Sequence, residues 1–134
     1  MLKHTLVLGA SLKASRYSNI AIQRLRKYNH PVTAVGLVEG RVGDTDIITF
    51  DSAFANLPVL QAGADTLKNN IDTVTLYLNP KRQADYYNFI ISLQPKRVVF
   101  NPGTENPELY SLLKEAGIDY EVACTLVLLA TNQY

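Results

Sequence analysis

The chain has 134 residues, 47% of them hydrophobic, and sets 13 Lys and Arg against 12 Asp and Glu. A chain of that length buries roughly 65–70% of the surface its unfolded form exposes, so one domain over residues 1–134 is expected, without disulfides or a structural metal. A formal charge of +1 supplies no broad positive field, so neither nucleic acid nor an anionic membrane is an expected partner, and any bound anion must be held locally.

The single cysteine, Cys124, has no internal partner, and with only His4 and His30 beside it it does not complete a four-ligand zinc site. A reducing compartment follows. The first apolar run stops at Gly9, too short for a signal-peptide core, and residues 126–130 fall far below the roughly 20 needed to span a membrane. The expected location is the cytoplasm.

Short β-rich apolar runs alternate with segments of helical period, the pattern left by βαβ units. Strands are predicted over residues 5–9, 32–36, 73–78, 97–100 and 118–123, with Ile47-Ile48 as a short additional one. The runs at 5–9, 32–36 and 97–100 are almost unbroken Val- and Leu-rich stretches, as in parallel strands covered on both faces. Ile118-Asp-Tyr-Glu-Val alternates and suits an edge strand. The expected fold is therefore α/β, with an open, mainly parallel sheet of five or six strands between helical layers.

A first helix is predicted over residues 19–28, with Ser18 as its N-cap and Asn29-His30-Pro31 closing it. A second begins near Pro80 and puts Tyr86, Phe89, Ile90 and Leu93 on one face. A third begins near Pro107 and does the same for Leu109, Leu112, Leu113 and Ala116. Pro95 and Gly117 mark their far ends. Residues 53–60 and 64–68 each suit a short helix, interrupted by Pro58 and Gly63.

In open parallel sheets a ligand sits beyond the carboxyl ends of the strands, where the strand order reverses. The loop after the first strand, Gly9-Ala-Ser-Leu-Lys-Ala-Ser-Arg-Tyr-Ser-Asn19, offers small residues, hydroxyls, a lysine and an arginine just ahead of a helix N-terminus. Those are the parts of a phosphate site. It carries one glycine where the dinucleotide fingerprint has three. The second strand ends without the acid that would bind a free ribose of NAD, whereas Arg41 near that position suits a phosphorylated ribose. NADP and coenzyme A both carry one.

The same loop, together with Val74-Thr-Leu-Tyr-Leu-Asn-Pro80, Pro95-Lys-Arg-Val-Val-Phe-Asn-Pro-Gly-Thr-Glu-Asn-Pro-Glu108 and Ala123-Cys-Thr-Leu-Val-Leu-Leu, resembles the small stand-alone CoA-binding domain proteins. These are similar to the N-terminal domain of the succinyl-CoA synthetase α subunit. The resemblance covers residues 2–50 and 71–134 and leaves 51–70 unassigned. It implies a Rossmann-like three-layer fold with coenzyme A, or an acyl-CoA, across the strand ends.

Carried over by position, Gly9, Ala10, Ser11, Lys13, Ser15, Arg16 and Tyr17 meet the phosphates and nearby ribose, with Tyr17 against the adenine. Gly36 and Arg41 lie near the adenosine 3′-phosphate. Asn79, Pro80 and Lys81 form one remaining wall, and Asn101, Pro102, Gly103 and Thr104 the other. The synthetase's phosphorylated histidine belongs to a second domain that 134 residues do not accommodate, so the resemblance implies binding without catalysis of its own. An acyl-CoA enzyme is the implied partner.

His4 and His30 precede strands, away from the ligand edge, and read as surface or turn residues. Glu105 and Glu108 suit a helix's first turn. Cys124 reads as a small buried side chain, or alternatively as one facing the CoA thiol. The other tyrosines, Tyr77, Tyr86, Tyr87 and Tyr110, read as core or interface rings. Two further readings stand beside the leading one: an enzyme, either an NADP-binding reductase or a CoA-transfer component completed by a partner subunit, and an interaction protein that binds no nucleotide.

Overall fold

A computed structural model describes residues 2–49 and 71–134. The helices expected over 53–60 and 64–68 lie outside the described residues. The chain begins with β1 (Thr5–Ala10), α1 (Tyr17–Lys27), β2 (Val32–Gly36), β3 (Gly40–Val42) and β4 (Thr45–Thr49). After residue 70 come β5 (Thr73–Leu76), α2 (Pro80–Gln83), a 3-10 turn (Ala84–Tyr86) and α3 (Tyr87–Leu93). The chain closes with β6 (Arg97–Phe100), α4 (Pro107–Glu115), β7 (Asp119–Val122) and α5 (Thr125–Ala130).

The described strands form one sheet in the order β3-β4-β2-β1-β5-β6-β7. Each neighbouring pair is parallel except β3 with β4. From β1 the chain builds outward through β2 and β4, then returns to the other side of β1 and builds outward again through β5, β6 and β7. The order thus reverses between β1 and β5. This is the expected α/β fold with seven strands among the described residues in place of five or six, the extra strand being β3, which folds back on β4 as a hairpin through Gly43 at φ +59.

Both faces of the sheet are covered because the strands offer apolar side chains to both. On one face Leu6, Leu8, Val74, Leu76, Val98 and Phe100 pack against Phe89, Ile90 and Leu93 of α3 and Leu109 and Leu113 of α4. On the other, Val7, Ala34 and Ile47 pack against Ile22 and Leu25 of α1 and Leu129 of α5. Each fully buried leucine or isoleucine contributes about 1.5–3 kcal/mol relative to exposure.

Several boundaries differ from expectation for local reasons. The first helix starts at Tyr17 and is capped by the backbone of Arg16, with no side-chain cap; Ser18 lies buried inside its first turn. The helix expected from Pro80 is broken into α2, the 3-10 turn and α3. Its first turn is capped by Asn79, whose side chain accepts the Arg82 N–H. The short α5 was expected only as an apolar stretch. It begins directly after Cys124, which caps it through its backbone.

His30 directly follows the turn that closes α1, but it is buried rather than at the surface, only 8% exposed. Its Nδ1 accepts the Lys3 N–H at 2.9 Å, and its ring meets Tyr134 edge-on at 5.1 Å. Among the described residues no helix is long and apolar enough to cross a membrane, and no group of three or more His, Cys, Asp or Glu is placed to hold a metal.

Candidate functional site

The strand order reverses between β1 and β5, and a cavity of about 620 Å³ opens there, beyond the carboxyl ends of the strands. Its centre is the loop after β1. Gly9 takes φ +90, and the β1–β2 register slips at that point, a bulge that turns the strand end. A Cβ on Gly9 would stand 2.9 Å from the backbone of Tyr77 and 3.1 Å from the side chain of Leu78. Glycine is therefore required both by conformation and by the close approach of the chain after β5.

The rest of the loop is held from below by α1. The buried Asn19 donates to the Ser11 carbonyl at 2.9 Å and is itself fixed by Gln23 at 2.6 Å. The Ser11 hydroxyl accepts the Lys13 N–H at 3.1 Å. The first turn of α1 carries no acidic residue and no side-chain cap, while Arg24, Arg26 and Lys27 occupy its last turn. The positive end of that helix dipole is left facing the cavity.

Lys13 and Arg16 from this loop and Arg82 from α2 bring three cations to the cavity lining, and no Asp or Glu joins them among the described residues. The lining is also apolar at one end. Leu12, Tyr17, Leu37 and Val38 are 43%, 72%, 66% and 63% exposed, and all four face this same cavity. Exposed apolar side chains gathered at one mouth mark a binding surface. Gly40 lets Leu12 settle over β3, since a Cβ there would stand 2.5 Å from its Cδ2.

The opposite wall comes from the ends of β5 and β6. Tyr77, Leu78 and Asn79 form one part of it, and Pro102, Gly103 and Thr104 the other. Burial pushes the pKa of the Tyr77 hydroxyl up, against smaller opposing effects of Thr125 and Thr75, and keeps it a neutral phenol. The 102–104 loop is braced internally: Gly103, at φ +91, donates its N–H to Glu105 Oε1 at 2.7 Å, and the Thr104 hydroxyl donates to the Asn101 carbonyl at 2.7 Å.

Of the residues anticipated from sequence, Gly9, Ala10, Ser11, Lys13, Arg16 and Tyr17 converge on this cavity, as do Gly36, Asn79, Pro102, Gly103 and Thr104. Ser15, Arg41, Pro80, Lys81 and Asn101 are not among its lining residues. Arg41 lies on β3 and pairs with Asp46 at 3.4 Å, both side chains exposed. Asn101 is buried beneath the wall, donating to Thr75 Oγ1 at 2.7 Å and the Leu76 carbonyl at 2.9 Å. It accepts the Thr125 N–H at 2.8 Å. Cys124 is half-buried at the start of α5 and likewise outside the lining.

Sequence reading missed Leu12, Ser18, Leu37, Val38, Leu78 and Arg82, and it read Tyr77 and Tyr86, which also line the cavity, as core or interface rings. Leu37 and Val38 had a usable signal, since two apolar residues after a parallel strand are out of place in a solvated loop. Arg82 had less, because only the phase of the turn starting at Pro80 separates it from Lys81.

The fold and cavity define an open parallel α/β protein whose candidate site is an anion-attracting, partly apolar cleft at the topological switch point. The family model for the CoA binding domain matches residues 3–130, and the chain belongs to that family. Among solved structures, one of an uncharacterized protein is 42% identical, aligns over 100% of this chain and 99% of its own, and superposes with a TM-score of 0.84. A Thermus thermophilus protein, 23% identical over 99% of this chain and 91% of its own, has the same fold at a TM-score of 0.76. A hypothetical protein from Pyrococcus horikoshii OT3 is 25% identical over 94% of this chain and 80% of its own, with a TM-score of 0.73. No curated protein matches the chain.

Proposed function

We propose that this protein binds coenzyme A or an acyl-CoA in the cavity over β1 and β5, as a single-domain cytoplasmic carrier, sensor or partner of a larger acyl-CoA enzyme, without catalysis of its own. The observation that carries this reading is the pairing of three cations with an exposed apolar rim in a cleft that no acidic side chain lines among the described residues. Coenzyme A has complementary parts: an adenine ring, three phosphates and a long pantetheine arm.

Leu37, Val38 and Tyr17 offer the adenine an apolar seat at the end of β2. The pyrophosphate lies over the Gly9–Ser11 backbone and the first turn of α1, with Lys13 and Arg16 beside it, where N–H groups and the helix dipole favour anions. The arm runs toward Tyr77, Asn79 and Thr104, near Arg82. When bound, coenzyme A would supply its thiol as the carrier of an acyl group; the chain's own residues hold, orient and screen it.

Unfolding monitored with CoA, acetyl-CoA, dephospho-CoA, NADP and ADP tests the reading. A ligand at about 100 times its dissociation constant stabilises by roughly 2.7 kcal/mol, about 8–15 °C for a chain of this size. CoA species are expected to give that shift and NADP a smaller one. No shift with any CoA species overturns the proposal.

A further inference from the structure

Behind the cavity lies a buried polar network that no ligand contact explains. Gln83, the last residue of α2, is fully buried, a place where an amide persists only when its hydrogen bonds are met. Its Nε2 donates to two carbonyls at once, Leu78 at 2.8 Å and Thr104 at 2.8 Å. Its Oε1 accepts from Asn106 Nδ2 at 2.9 Å. That same Nδ2 donates to the Tyr87 hydroxyl at 2.8 Å, and Asn106 Oδ1 caps α4 by accepting the Leu109 N–H. Leu78 and Thr104 line the cavity, whereas Gln83, Asn106 and Tyr87 do not.

One amide nitrogen therefore ties the loop after β5 to the loop after β6. We infer that Gln83 is a positioning residue that sets the spacing of these two loops and so shapes the part of the cavity that takes the pantetheine arm. The inference rests on the coenzyme A reading for the identity of that arm. An amide is the side chain that supplies two donors and an acceptor at this length. Methionine fills similar space but leaves the Leu78 and Thr104 carbonyls and an Asn106 N–H buried and unpaired, a state the loops relieve by separating toward water. Among the described residues Gln83 makes no hydrogen bond to residues 9–16 or to Leu37 and Val38; it reaches the Gly9 loop only through the packing of Leu78 against Gly9, so the arm's end is the part that changes most.

The test is calorimetric titration of the wild-type chain and Gln83→Met with CoA and with adenosine 3′,5′-bisphosphate, which lacks the arm. Gln83→Met is expected to weaken CoA about tenfold and the bisphosphate less than about twofold. Equal weakening of the two ligands overturns the inference, because it marks a general loss of fold; so does unchanged CoA affinity. Should Gln83→Met not fold, Tyr87→Phe removes only the outermost hydrogen bond of the network. Its expected effect is a selective loss for CoA of roughly two- to threefold, and an equal or absent loss overturns the positioning role. A wild-type chain that binds neither ligand overturns the coenzyme A reading as well, whereas wild-type binding without selective loss defeats Gln83's role alone.

Discussion

The carbonyl oxygen of Ala10 lies 2.3 Å from the place a Cβ on Gly36 would occupy, with Ile47 Cγ2 3.1 Å from the same point. The two residues are paired across β1 and β2 just past the bulge at Gly9, and both line the cavity. The obstructing atom is backbone, so Gly36→Ala must push the loop after β1 aside. Overpacking of this kind costs about 1–3 kcal/mol. The melting midpoint of Gly36→Ala should fall by roughly 3–15 °C, and CoA binding should weaken because the Ala10–Ser11 backbone moves. A midpoint unchanged within about 1 °C would show that the strands part freely there.

Cations inside and outside the cavity should behave differently. Arg16 lines it beside the start of α1, and a lost charge-assisted hydrogen bond is worth about 1.5–3 kcal/mol. Arg16→Ala should therefore weaken CoA by roughly tenfold or more, with a shallower dependence on salt. Arg41, held to Asp46 on β3 and outside the lining, should tolerate alanine with CoA affinity within about twofold. The ratio of CoA to dephospho-CoA affinity, measured by titration calorimetry, is the sharper check. A ratio that collapses in Arg41→Ala returns that arginine to the 3′-phosphate.

Asn101 joins three elements from beneath the wall: the amide clamps β5 through Thr75 and Leu76 and accepts the first N–H of α5. Asn101→Ala leaves several buried groups unpaired, at about 1–3 kcal/mol for each. Chemical denaturation should show a loss of at least roughly 3 kcal/mol in Asn101→Ala, larger than for any single cavity-lining cation replaced by alanine. A loss of ligand affinity at unchanged stability would instead make Asn101 a direct contact.

Stability should decline as pH falls through the histidine range. Burial lowers the pKa of His30 below its usual 6.5, helped by Lys3 and Arg97 and opposed by Asp72. Burial also lowers that of His4, whose Nε2 is 2.9 Å from Thr33 Oγ1. Below about 6.5 the unfolded chain takes up protons that the folded chain resists, so this contribution is complete above that pH and is lost as pH falls through the lowered folded values. Asp44, whose pKa the Arg26 hydrogen bond lowers from 3.8, acts only in a more acidic window. Melting midpoints between about pH 7.5 and 5.5 should fall, and His30→Asn should flatten the slope. A flat wild-type profile contradicts this.

Much of this architecture was legible because parallel strands buried on both faces leave continuous apolar runs, and Pro80, Pro107 and Gly117 punctuate the helices between them. The loop from Gly9 to Tyr17 was legible for a related reason: position after the first strand confines it to the ligand edge. What escaped depends on side-chain direction. Asn101 follows β6 as a ligand residue would, yet its amide turns inward to Thr75. Arg41 sits close to β2 in sequence but belongs to an antiparallel hairpin that carries it toward Asp46. Lys81 and Arg82 are adjacent, and only the turn begun at Asn79 settles that Arg82 reaches the cavity. Buried His30 was hidden because its burial comes from Tyr134, more than a hundred positions away.

Mapping backbone amide resonances of the labelled chain during titration with CoA shows whether coenzyme A occupies the cleft over β1 and β5. Saturable shifts are expected in residues 9–13, 16–18, 36–38, 77–79, 82, 86 and 103–104, the lining of the cavity, with the amino ends of the strands, near His4 and His30, unmoved. Shifts centred on those amino ends, or none at all, would contradict it.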